Sequence, residues 1–218
     1  MAEEIELFQD MAIRGSGAKR EELRAALIAA AIKPWQVDIE GTAKIARDAT
    51  TSEDVVLFRR EADKAVPAAS LTLWETPDGY NVPNIVPLTD GQLTIAEYNA
   101  VLKDFIERIA APIVGNIGFT ITTTSPRQSL EDWLSPDAAK KLWSFSRLAN
   151  KSTGASHPAD EGRWFDFLVA VHRAGDKLAS GTLARWLHEV EGWDEDSAHR
   201  LAGNYETSVS LLAHNDKH

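Results

Sequence analysis

The sequence predicts an α+β protein: N-terminal helices with a small, mostly antiparallel sheet and one long packed helix, followed by a C-terminal helical bundle. Three observations carry this. β-rich runs concentrate between residues 55 and 124 and disappear beyond Pro126. After that point the apolar residues recur at helical spacing between short polar turns. All six histidines and five of the seven tryptophans also fall after residue 132, so the two halves differ chemically. The expected division is a flexible or weakly helical N-terminus at 1–19, an α+β domain at 20–126, a helical domain at 127–213 and a tail at 214–218.

Ile5 to Ile13 reads as a short amphipathic stretch, and Arg14-Gly15-Ser16-Gly17 has the composition of a flexible connector. From Arg20 to Ile32, Leu23, Leu27, Ile28 and several alanines give helix spacing that Pro34 terminates. A second helix is expected from Asp38, its N-cap, to Ala49, with Ile39, Ala43, Ile45 and Ala46 inward. Val55–Phe58 and Ser70–Trp74 are strand-forming runs. Thr76-Pro77-Asp78-Gly79-Tyr80 is a turn, because proline presets the first turn position and glycine accepts a positive φ; it predicts a hairpin into Tyr80–Val86. Pro83 and Pro87 cannot donate ladder hydrogen bonds, which makes that strand an edge or irregular one.

Thr94-Ile-Ala-Glu97 is a capping box opening a long helix, with Ile95, Tyr98, Leu102, Phe105, Ile106 and Ile109 inward and a stop at Pro112. Gly118–Thr124 alternates with period two and forms the next strand. In the C-terminal half, Ser129–Asp132 caps a short helix, and Ser135-Pro136 starts a helix to Ala149. Further helices are expected at Pro158–Ala174, with Trp164, Phe165, Phe167, Leu168 and Val171 in the core, at Thr182–Glu191, ended by Gly192, and at Asp194–Ala213.

The absence of cysteine excludes disulfides, thiolate metal sites and thiol nucleophiles. The formal net charge of −10 opposes attraction to nucleic acid or anionic lipid, and the basic pairs Lys19-Arg20, Arg59-Arg60 and Lys140-Lys141 are too small to offset it. The acidic start, Met1-Ala-Glu-Glu, is unlike a signal peptide, and the most apolar stretch, Leu23–Ile32, is too short to span a bilayer. A cytoplasmic protein without membrane or nucleic-acid partners is therefore expected.

Motifs for chemistry are scarce. His172, His188, His199 and His214 lie on separate helices or helix ends, with neither His-x-x-x-His nor His-Glu-x-x-His spacing among them, and His214 and His218 fall in the tail, so no metal and no cofactor are expected. There is no Gly-x-Ser-x-Gly elbow and no P-loop. The least ordinary passage is Asn150–Arg163, where Lys151, Ser152, Thr153, Ser156 and Arg163 offer candidate anion ligands at a helix N-terminus and His157 a candidate acid or base. The same residues are fully explained by a helix start with Pro158 in its first turn. Trp193, between Gly192 and Asp194 at a helix junction, is the tryptophan expected to be partly exposed and to touch a partner. The function expected is an acidic protein-interaction or regulatory module binding another protein, a basic one suiting its charge. Its exposed apolar patch should lie near Trp193 or the Pro83–Pro87 edge. The alternative is a small-molecule or phosphate-binding enzyme with its site at loop 150–163.

Overall fold

The computed structural model describes residues 3–48, 54–153, 155 and 157–216. In chain order the first elements are β1 (Ile5–Glu6), β2 (Met11–Arg14), α1 (Arg20–Ala29), β3 (Trp35–Val37), α2 (Ile39–Asp48) and β4 (Val55–Arg60). There follow β5 (Ala69–Thr76), β6 (Gly79–Pro87), α3 (Ile95–Phe105), a π turn at Ile106–Ala110, α4 (Ala111–Ile117) and β7 (Thr120–Thr123). The remainder comprises β8 (Arg127–Gln128), α5 (Pro136–Leu148), α6 (Pro158–Ala174), α7 (Ser180–Glu189) and α8 (Glu195–Asn215). The protein is α+β. Leu7–Pro126 forms one compact unit; the segment up to Glu6 and the chain from Arg127 form another.

In the first unit six strands pair antiparallel in the order β3-β4-β5-β6-β2-β7. The hairpin turn forms where the sequence places it: Gly79 has φ +155°, and a Cβ there would lie 1.9 Å from the Ile13 carbonyl oxygen. One sheet face carries the core, in which Ile13, Phe58 and Leu71 pack with Leu23 of α1 and Leu102 and Phe105 of α3. The Thr94–Glu97 capping box is present.

Five local expectations are corrected. The N-terminus is not a weakly helical or flexible stretch as far as it is described: β2 lies inside the sheet, paired to β6 and β7, with Met11 and Ile13 buried. The supposed connector is fixed too, since the Gly15 amide donates to the Asp78 carbonyl. The long helix does not stop at Pro112. A π turn lets the chain continue into α4 with proline in its first turn, where the missing N–H costs no hydrogen bond. In α2 the inward face is misjudged: Ile39, Ala43 and Ala46 are exposed, while Thr42 turns inward and accepts from the Leu57 amide. At the other end of the chain, residues 214–215 are the last turn of α8 rather than tail, and Asp216 accepts from or pairs with His172 Nε2 at 2.7 Å.

Arg60 organises one edge of this unit. It is fully buried at the end of β4; its Nε donates to Asp104 at 2.9 Å, and its Nη1 donates to the carbonyls of Glu61 and Val66. Asp104 also accepts from Trp35 Nε1 and Arg108 Nε. Burial alone would lower the Arg60 pKa, but hydrogen bonds to Asp104 and Asp63 outweigh it and raise it. The Asp63 carboxyl is held at about 2 against an ordinary 3.8, first by the Ala65 amide, then by Arg60 and the Val66 amide. Because the folded pKa is the lower one, this carboxylate's contribution to stability is complete above pH 3.8 and lost as pH falls through about 2. A carboxyl-carbon NMR titration should give a midpoint near 2; one near 3.8 would contradict the arrangement.

The second unit is helical apart from the two-stranded β1–β8 pair. α5 packs on α6, α6 on α8, and α7 on α8. Trp164, Phe167, Leu168 and Val171 form the inward stripe of α6. Phe165 falls off that stripe and, contrary to its expected core position, is 54% exposed. Among the described residues no helix is long and apolar enough to cross a membrane.

Candidate functional site

The loop before α6 is built by its own polar groups. Asn150 Oδ1 accepts from the Ser152 amide and hydroxyl, at 3.1 and 2.7 Å, and the Asn150 carbonyl accepts from the Thr153 hydroxyl. Asp160, 4% exposed, accepts from the Asn150 amide through one oxygen and from Arg163 Nη1 at 2.7 Å through the other. Lys151 Nζ donates to the Glu191 carbonyl and pairs with the Glu191 carboxylate at 3.7 Å. His157 is the N-cap of α6, its Nδ1 accepting from the Ala159 amide at 3.2 Å. Ser156, named with these residues, lies outside the described residues.

The structure therefore brings His157, Thr153 and Arg163 to one shallow cleft of about 560 Å³, together with Asn150 and Asp160. Ser152 and Thr153 also border a second cleft of about 680 Å³, whose walls include Trp164, Phe165, Arg200 and Asn204. Lys151 joins neither; it is directed to Glu191 and the Trp193 ring. The hydrogen bonds that fix the loop engage the groups a bound anion would need. Among the described residues no three His, Asp or Glu side chains gather as metal ligands.

Trp193 is a correction. It is 1% exposed, stacked on Phe145 with centroids 5.5 Å apart, and its indole N–H donates to the buried Ser146 hydroxyl at 2.7 Å. Gly192 adopts φ +70°, and the Trp193 amide donates back to the Leu187 carbonyl. A left-handed glycine followed by an apolar residue that folds back on the helix is a common helix ending, and this was the signal for burial.

The open apolar surface lies in the other unit. β2 pairs with β6 only over Gly79–Asn81, so among the described residues β6 has no strand partner on that side at Pro83–Pro87. The reason lies just before β2. Asn99 of α3 grips the peptide at both ends, accepting from the Gln9 amide and donating to the Leu7 carbonyl, and Phe8 packs edge-on against Tyr98 with centroids 4.9 Å apart. The chain is thereby drawn towards α3 and away from β6.

What remains is a groove of about 730 Å³ lined by Phe8, Asp10, Pro83–Pro87, Thr89–Leu93 and Tyr98. Phe8 is 51% and Val86 43% exposed, and Leu88 beside them 44%. The Tyr98 hydroxyl is pushed up by burial and then by the nearby Asp10 carboxylate. Sequence reasoning pointed to the Pro83–Pro87 edge but missed Phe8, Leu93 and Tyr98, which reach the groove from segments whose local patterns say nothing of it.

Fold and surface together describe an α+β protein joined to a helical unit, with its exposed apolar groove beside a sheet strand. Residues 138–211, about a third of the chain and within the helical unit, match the model of a domain of unknown function, DUF1889. No curated protein matches the chain. No solved structure matches it either.

Proposed function

We propose that this protein is a cytoplasmic interaction module that binds another protein through the groove between β6 and the start of α3. The observation that carries the reading is the juxtaposition of exposed Phe8, Val86 and Leu88 with a strand edge that no other segment covers among the described residues. Grouped exposed apolar side chains of this kind mark binding surfaces, and an open strand edge offers backbone groups to a guest chain. The net charge of −10 favours a basic partner.

A second reading, a small-molecule or phosphate site at loop 150–163, is favoured by the cleft that joins Ser152 and Thr153 to Trp164, Phe165 and Arg200. One experiment separates the two. A photo-crosslinking residue is placed at Val86, and in a second version at Phe165, and the protein is irradiated in the cells that produce it. A discrete protein adduct from position 86 and none from 165 is expected. No adduct at 86, or equal adducts at both, would overturn the reading.

A further inference from the structure

The groove has a chemical bias that identifies the guest more closely; this inference rests on the binding reading above. The Leu88 amide donates to the Ala68 carbonyl. Backbone groups alternate in direction along a strand, so above the bulge that shifts the β5–β6 register between Asn81 and Asn84, residues 84 and 86 share this orientation towards β5 and residues 85 and 87 face the groove. One of those two is proline, so this edge presents two carbonyl acceptors and a single N–H, that of Ile85. Asp10 and Asp90 add two acceptor-only carboxylates, and no lysine, arginine or histidine lines the groove. The strand edge has fewer donors than acceptors, and the groove's two charged side chains are both carboxylates.

A guest that pairs well must bring donors and positive charge. We propose that the groove binds an extended basic segment of a partner protein: an apolar side chain seats against Phe8, Leu93 and Tyr98, and adjacent arginine or lysine side chains meet Asp10, Asp90 and the Pro87 carbonyl. Any extended guest offers backbone N–H groups to the edge carbonyls, but a neutral one would leave Asp10 and Asp90 without a cationic partner and an acidic one would bring like charge against them. Pro87 serves a second purpose, since an edge with only one donor is a poor template for another copy of the same strand.

The test uses three synthetic hexapeptides in which leucine and valine alternate with arginine, with serine or with glutamate. Each is titrated into the isotopically labelled full chain at physiological ionic strength. The arginine peptide is expected to shift the amides of Phe8–Asp10 and Asn84–Leu93, and to bind at least about tenfold more tightly than the other two. The double substitution D10N/D90N, whose unchanged amide spectrum elsewhere verifies folding, should remove most of that preference. D196N, which neutralises an exposed carboxylate at the start of α8, should leave it intact. Shifts scattered over the acidic surface, equal binding of the glutamate peptide, or no effect of D10N/D90N would overturn the inference. If the Val86 adduct persists while the arginine preference fails, the groove binds a partner of other chemistry. Loss of that adduct removes the binding reading itself.

Discussion

Replacing Arg60 with alanine is expected to destabilise the α+β unit by about 3–5 kcal/mol, the cost of removing one partner from a buried, hydrogen-bonded charge pair. The guanidinium reaches Asp104, Asp63 and the carbonyls of Glu61 and Val66, so its loss orphans several acceptors at once. Asp104 would be affected most, being only 13% exposed and left with Trp35 and Arg108 as donors. For a unit of this size the fall in Tm should be on the order of 10–20 °C. Arg60→Lys should recover part of it, because an ammonium keeps the charge but not the planar fork of donors. Urea unfolding followed by tryptophan fluorescence measures both variants. A loss below about 1 kcal/mol for Arg60→Ala would mean that water replaces the guanidinium, and that the pair is as weak as a surface one.

The second large effect is expected at Trp193. Truncation to alanine removes a fully buried indole from its stack on Phe145 and should cost about 3–5 kcal/mol in the helical unit. Trp193→Phe keeps an aromatic ring but deprives the Ser146 hydroxyl of its donor, with an expected loss of about 1–3 kcal/mol. Had this residue been an exposed partner contact, as its place in the sequence suggests, both variants would unfold like the parent and differ only in binding. Thermal unfolding alone discriminates: parental stability for Trp193→Ala would contradict its burial.

What the sequence disclosed follows the range of the interactions involved. The Thr94–Glu97 capping box, the Pro77–Gly79 turn and α6 with its Pro158 start are set by residues within a few positions of one another, and each forms as read. β2 was missed because four residues, Met11–Arg14, give too short an alternation to recognise. Their strand conformation comes from partners at Gly79–Asn81 and Thr120–Thr123, far along the chain. β3 was hidden for the same reason, as three residues after a proline. The exposed Ile39 shows the complementary failure, where a helical period is plain but the choice of buried face depends on which residue meets β4.

The candidate sites divide along the same line. The composition of loop 150–163 suggested anion binding, yet Asn150, Asp160 and Glu191 are the partners of Ser152, Arg163 and Lys151 in the folded chain. Satisfaction of a polar group is a property of the tertiary structure and has no signature in spacing alone. For the groove, the prolines of β6 were legible as an interruption of pairing. Its depth was not, because it depends on Asn99 holding residues 7–9 against α3.

The most direct measurement is hydrogen exchange on the chain alone and on the chain bound to the partner captured at position 86. Slowed exchange is expected at Phe8–Asp10 and in Asn84–Leu93, including the Ile85 amide, with residues 150–163 unchanged. Unaltered exchange along β6 together with new protection at 150–163 would contradict the binding reading and move the functional site to the helical unit.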